Sequence, residues 1–284
     1  MAQKISPDLV GLEFDPIPAS WSSKDVQLYA CGVGCKPDDE KELEFLYEGR
    51  GPKVVPTYGV IPGMMAMGGM MGKIEMNLAT LLHGEQAITV HRPLPPNAKV
   101  EVKGRISEIW DKGKAAVVGC EGTVVDKDGP ICTTNATIFL GGQGGFGGER
   151  GPSSAGINEP PNRDPDVVIE DETRPEQGAV YRLSGDPNPI HIDPNFAKMS
   201  GYDRPFLHGL CTYGFVGRAI IKGLCGGNHE RFKSFEARFS DQVYPGDKII
   251  SKFWIVGEGE AILTAETQKG NVVLSKSKCT FAPE

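Results

Sequence analysis

The 284-residue chain is 39% hydrophobic and 24% charged, with a formal net charge of -7. That is enough apolar mass for one large domain or two ordinary ones, and no run of Lys or Arg supplies the clustered basic face that nucleic acid requires. The N-terminal MAQKISPDLVGLEF lacks the apolar core of a secretory signal, and the most apolar stretch, residues 54–82, is broken by Pro56, Pro62 and many glycines, so no spanning helix is expected.

The first recognisable segment in chain order is YACGVGCK (29–36), which returns later in another form. An apolar stretch with helical potential begins near PTYGVIPGMMAM, and the methionines from Met64 to Met76 read as core packing or an adaptable apolar pocket. HRPLPPNAKVEVKGRISEIWDKGKAAVVGCEGTVVDKDGPICTTNATIFL then reads as strand, turn, strand, turn, strand, with turns at Pro96-Asn97 and Asp128-Gly129. Residues 141–176 are dense in Gly, Pro and charge and read as a connection between halves. Within them GGQGGFG holds a formal G-x-G-x-x-G. The next residues, ERGPSSAGINEPPNRDP, cannot supply the helix a dinucleotide site needs, so the loop reads as structural.

The second half repeats the plan at an offset of about 150 residues. YRLSGDPN (181–188) stands where YACGVGCK did, with Asp186 replacing Gly34 and His191 replacing Asp39. LHGLCTYGFVGRAIIKGL is the stronger helix, since Leu210, Tyr213, Phe215, Val216, Ile220 and Leu224 leave few polar positions and predict burial nearly all round. A second meander comes after it, with turns at Gly246-Asp247, Gly257–Gly259 and Gly270-Asn271. A buried helix lying along an antiparallel sheet, repeated once, is an α+β arrangement. The expected division is 1–140, a linker over 141–176, and 177–284. The seven cysteines are odd in number, scattered and without a C-x-x-C, which predicts reduced thiols, a soluble intracellular protein and no zinc site.

Of five histidines, His91 beside Arg92 and His229 in GGNHER read as surface residues, while His83 and His208, each before a glycine, read as structural. His191 differs by its company in LSGDPNPIHIDP. Pro187 and Pro189 fix φ at alternate residues and push their predecessors to extended geometry, so Asp186, Asn188 and His191 sit on a stiff loop. That pattern fits an acid–base pair, and equally an Asx-type turn capping the helix NFAKMS with His191 packed beneath it. A metal site of Asp186, Asn188, His191 and Asp193 would need a second ligand shell that is not evident.

YRLSGDPNPIHIDPNFA closely resembles the signature of the MaoC-like, (R)-specific enoyl-CoA hydratases. LYACGVG, FLYEG, LLHGEQ, DKGKAAVV, GQGGFGGER, DRPFLHGLCTYGF and FEARFSDQVYPGD resemble, in order and over essentially the whole chain, the hydratase 2 unit of peroxisomal multifunctional enzyme type 2. The resemblance implies a double hot-dog fold, with each sheet wrapped round a central helix. It also implies reversible addition of water to a trans-2-enoyl-CoA, giving the (3R)-3-hydroxyacyl-CoA of fatty acid β-oxidation. By the same resemblance Asp186 and His191 hold the water, Asn188 orients them, and the N–H of Gly209 receives the thioester oxygen. His83, Gly84, Lys112 and Phe239 line the CoA path, Pro187, Pro189 and Ile190 contact substrate, and Glu48 supports the site. No metal or cofactor is implied beyond the CoA of the acyl-CoA substrate, and the expected partner is a second copy in a homodimer. The family points to the peroxisome, although FAPE is no S-K-L-type signal. The first half, lacking the pair, is expected to admit a medium-to-long or branched acyl chain. The rival readings are another hot-dog acyl-thioester dehydratase and a non-catalytic acyl-CoA-binding protein.

Overall fold

The computed structural model describes residues 2–283. The chain runs through β1 (Ile17–Trp21), α1 (Ser23–Gly32), α2 (Glu40–Leu46), two short helices α3 (Val60–Gly63) and α4 (Met65–Met71), and strands β2 (Leu81–Val90), β3 (Ala98–Asp111), β4 (Ala115–Asp126) and β5 (Gly129–Gly141). Then come β6 (Val167–Glu172), α5 (Gln177–Tyr181), α6 (Pro194–Met199), α7 (Gly209–Gly223), β7 (Phe232–Phe239), β8 (Lys248–Gly257), β9 (Glu260–Thr267) and β10 (Val272–Phe281). These form two compact units. One holds the residues up to Ser20 with Gly59–Arg92 and Lys99–Ile157, and the other holds Trp21–Tyr58, Pro93–Ala98 and everything from Asn158 onward. The early helices α1 and α2 therefore belong, by packing, to the unit that contains the second meander.

In the first unit the strand order is β1-β3-β4-β5-β2, and β3, β4, β5 and β2 pair antiparallel along their lengths. Alternation of Val, Ile and Ala with polar residues puts Val100, Val102, Ile106 and Ile109 of β3 inside. Helices α3 and α4 lie against β4. The single long helix expected here is instead broken into short turns. Pro62 removes a backbone donor, and Gly59, Gly63, Gly68 and Gly69 weaken what remains. The glycines also permit close approach, because a Cβ at Gly122 would stand 2.4 Å from the carbonyl oxygen of Gly63. The glycine loop after β5 wraps a carboxylate: Asp111 accepts from the N–H groups of Gly113, Gly145 and Gly147, each at 2.8 Å. The Gly145 amide first, then that of Gly113, holds this carboxyl below the usual range. GGQGGFG is thus a structural loop, as its flanking sequence implied.

In the second unit the order is β7-β10-β9-β8-β6, with antiparallel pairing throughout. Helix α7 lies along this sheet, touching β6, β7 and β8, and every residue from Cys211 to Ile221 is buried. Tyr213 stacks on Phe235 at 4.2 Å and donates its hydroxyl to that residue's carbonyl. Gly214 and Gly217 let α7 meet Val33 and Thr57, since a Cβ at either would come within 2.5 Å of those side chains. Helix α1 starts from a capping box of Ser22 and Asp25, and its last carbonyls, Cys31 and Gly32, accept from the buried Gln177 side chain. A sheet wrapped round a buried central helix, in two α+β repeats, is the double hot-dog architecture. His229, expected at the surface, is buried edge-on against Phe45, because the short turn His229–Arg231 tucks its ring inward.

The one charge on the buried length of α7 is Arg218, 3% exposed. Its guanidinium reaches Glu42 of α2 at 2.6 and 3.1 Å, Asp171 of β6 at 3.1 Å and the Val33 carbonyl at 3.0 Å. Removing the cation alone strands two buried carboxylates, and breaking such a pair costs about 3–5 kcal/mol. Arg218→Met should therefore lower the unfolding free energy from urea titration by roughly that amount, with a lower midpoint, while Arg218→Met combined with Glu42→Gln and Asp171→Asn should recover most of it. Equal midpoints for wild type and the single variant would contradict the buried network.

Candidate active site

The site grows from the end of α5. After Tyr181 the chain makes a short 3-10 turn over Arg182–Ser184 and reverses at Gly185, whose φ of 126° is a conformation only glycine adopts freely. Asp186 then accepts the N–H of Asn188 at 3.1 Å, Asn188 accepts that of Ile190 at 3.2 Å, and Asp193 caps α6 through Asn195 and Phe196. Three successive side-chain caps and two prolines leave the loop little freedom. It is not extended throughout, since Pro189–His191 forms a 3-10 turn with proline at its first position. Asn188 itself is exposed. Its carboxamide oxygen is engaged in that cap, so it orders the loop that carries the pair.

His191 is half-buried, with Nδ1 at 2.9 Å from the carbonyl of Phe206. A carbonyl can only accept, so Nδ1 carries the proton and the Nε2 lone pair is available. The ring lies almost face to face with His208, centroids 3.9 Å apart and planes inclined by 34°. His208 is 1% exposed, directs Nε2 to the backbone carbonyl of Asp186 at 3.2 Å, and has no partner for the buried Nδ1. Tyr181 closes the other side, 5.0 Å from His208, with its hydroxyl also buried and unpartnered. Burial lowers the pKa of His191, opposed by the Phe206 carbonyl and the charge of Asp186. Burial, with the neighbouring His191, lowers that of His208 to about 4. Both rings are thus neutral near pH 7.

Asp186, His191 and His208 each offer a ligand atom, all within 4.8 Å of one another, and so could hold a metal ion. His208 Nε2 is already engaged with the Asp186 carbonyl, which leaves Nδ1 as its only ligand atom. A half-buried carboxylate beside a neutral imidazole suits proton exchange better.

Gly209 comes directly after His208 and opens α7, where the first amides of a helix lack intrahelical acceptors. A Cβ there would stand 3.1 Å from the ring of Phe239. The second unit thus collects Asp186, Pro187, Asn188, Pro189, Ile190, His191, Gly209 and Phe239. His83, Gly84 and Lys112 belong to the first unit. There His83 meets the Glu85 carbonyl at 3.1 Å, Gly84 sits in a slip of the β2–β5 register, and Lys112 donates to the Arg150 carbonyl. Glu48 is exposed on the turn Glu48–Arg50, bonded to its own amide and to Gln27. Among the described residues no hydrogen bond joins it to the pair; the buried glutamate is Glu42. The sequence by itself makes His208 a structural residue, and only its stacking on a residue 17 positions earlier reveals its place in the site.

A family model described as the MFE-2 hydratase 2 N-terminal domain matches residues 20–142, and the MaoC like domain matches residues 156–277. Enoyl-CoA hydratase ChsH3 of Mycobacterium tuberculosis is 38% identical over 94% of this chain and 95% of its own. The chain belongs to the MaoC-like hydratase 2 family. A second relative of this family, peroxisomal multifunctional enzyme type 2 of Mus musculus, is 36% identical over 96% of this chain, which spans 38% of that larger protein. The crystal structure of a MaoC-like dehydratase from Phytophthora capsici superposes with a TM-score of 0.86 at 31% identity, covering 99% of both chains. Among the described residues no helix is long and apolar enough to cross a membrane.

The buried imidazoles set a pH dependence of stability. His191, His208 and His229 all have lowered pKa values in the folded state, with burial the first cause of each. The unfolded chain therefore takes up these protons first. Stability should be full above the ordinary value of 6.5 and be lost as pH falls, His208 alone contributing on the order of 3 kcal/mol by about pH 4. Urea midpoints measured from pH 7.5 to 5 test this, and a flat profile would contradict neutral burial.

Proposed function

We propose that this chain catalyses the reversible hydration of trans-2-enoyl-CoA to (3R)-3-hydroxyacyl-CoA in fatty acid β-oxidation. The observation that carries the reading is the pairing of Asp186 and His191 on one capped loop, with the Nε2 lone pair of a neutral imidazole unengaged.

In this mechanism a water is held between the Asp186 carboxylate and His191 Nε2. One of the pair takes a proton as the hydroxyl bonds to C3, and the pair returns a proton to C2 from the same face, so it ends as it began. Negative charge gathers meanwhile on the thioester oxygen. The Gly209 N–H at the start of α7 receives it, helped by the helix dipole. A side chain at 209 would press on the Phe239 ring, its Cβ 3.1 Å away, and crowd the thioester. Addition of water needs no redox partner, so no cofactor is invoked beyond the CoA of the substrate. Within the second unit, Phe239, which faces the helix-opening Gly209, is assigned to the CoA path. The broken, Met-rich helix region of the first unit suits a medium-to-long or branched acyl tail, since weak helix propensity and unbranched thioether side chains adapt readily. Homodimerisation and a peroxisomal location complete the reading, the latter supported by the name of the mouse relative.

Loss of enone absorbance on mixing with trans-2-decenoyl-CoA should fall roughly 100-fold or more in Asp186→Ala and in His191→Ala. Wild-type rates in both variants would sink the mechanism. Chiral chromatography of the product should give the (3R) alcohol. The acyl-tail reading is tested separately, with decenoyl-CoA expected to outpace crotonyl-CoA and the reverse order counting against it.

A further inference from the structure

We propose that His208 is a positioning residue for this hydration: its buried ring sets the plane of His191 while its Nε2–H holds the backbone of Asp186. One side chain at the start of α7 thereby orients both proton-handling groups. The inference rests on the hydration reading and adds to it a residue that makes no proton transfer of its own.

Phenylalanine at 208 would fill the same space between Tyr181 and His191 without burying a ring nitrogen. Histidine leaves Nδ1 buried and unpartnered, and an unsatisfied buried polar atom is destabilising. What histidine adds is the bond from Nε2 to the Asp186 carbonyl at 3.2 Å. That bond fixes the start of the Asp-Pro-Asn-Pro loop from another element, beyond the caps supplied locally by Asp186 and Asn188. The ring face at the same time meets His191 at 3.9 Å, and Phe206 meets His191 edge-on at 5.0 Å while accepting from its Nδ1. His191 is thus held by an edge, a face and a hydrogen bond, which points its Nε2 in one direction.

The stack also decides where a proton goes. Two imidazolium ions at that separation repel, so as the pH falls below the ordinary imidazole value the pair takes up one proton before a second. His208 is the more deeply buried ring and the one whose protonation is more strongly suppressed, with Arg182 adding to the penalty and Asp186 opposing it. The proton therefore resides on His191, next to the carboxylate. Because Gly209 comes immediately after His208, the same anchor places the helix-opening amide relative to the pair.

Two variants separate the two functions. His208→Gln keeps a donor near the Nε2 position and loses the ring, whereas His208→Phe keeps the ring and loses the donor. Each should lower kcat about 10-fold, and His208→Ala about 100-fold, with KM for decenoyl-CoA within about threefold of wild type. The thermal midpoint of His208→Phe should match or exceed that of wild type, so its loss of kcat cannot be put down to misfolding. Nitrogen NMR of the wild-type protein at pH 6 should show His208 neutral with the proton on Nε2. The proposal is overturned if the Phe and Gln variants both keep kcat within about twofold of wild type, if their defect lies in KM alone, or if the proton is on Nδ1. Asp186→Ala is run in parallel. Full activity there overturns the hydration reading itself, whereas an inactive Asp186→Ala beside unaffected His208 variants overturns the positioning role alone.

Discussion

The guanidinium of Arg218 is the constraint on which the catalytic unit depends. A cation in the middle of a buried helix cannot be left dry without partners, because its desolvation would outweigh the apolar packing around it. Glu42 of α2, Asp171 of β6 and the Val33 carbonyl after α1 all converge on it. Three separate elements are thereby tied to one turn of α7. The helix axis is fixed at that turn, and with it the other end of the helix, where His208 and Gly209 stand. The network also explains why residues 21–58 pack with a meander that lies far downstream in the chain.

The site uses the same logic on a smaller scale. Burial alone would make any histidine there a neutral spectator, and pKa values lowered by burial are what this unit shows at His191, His208 and His229. What separates His191 is partial exposure, a carbonyl that sets its tautomer, and a carboxylate five residues before it. Rigidity comes from local caps rather than from regular structure. Asp186, Asn188 and Asp193 each accept a backbone N–H within a few residues of themselves, so much of the loop's order is local. The Phe206 carbonyl and the His208 ring anchor the loop from farther along the chain.

The two repeats diverge where their chemistry differs. The second keeps a continuous helix, buried from Cys211 to Ile221, that starts directly after His208. The first has Pro62 and a run of glycines in the corresponding stretch, and its helix is broken into turns that press against β4 through glycine contacts. At the loop locus Asp39, standing where His191 does, caps α2 and pairs with Lys222. Each copy thus retains the capping chemistry, and the Asp186–His191 pairing belongs to one of them.

Much of this was legible in the residues themselves. Alternation and turn pairs marked both meanders, apolar crowding marked α7, and the prolines of DPNP marked a stiff loop bearing Asp186 and His191. These are local properties, set by propensity and φ restriction within a few residues, and the chain alone determined them. The break in the first helix was also written there, in Pro62 and the glycines, although the apolar run concealed it. Other features depended on contacts across long separations that no local pattern encodes. The burial of Arg218 and His229, the exposed placement of Glu48 with Glu42 as the inward-facing carboxylate, and the capping duty of Asn188 were decided by tertiary packing. So was the stacking of His208 on His191, since a ring buried at a helix start becomes part of a site only when a second segment is folded against its face.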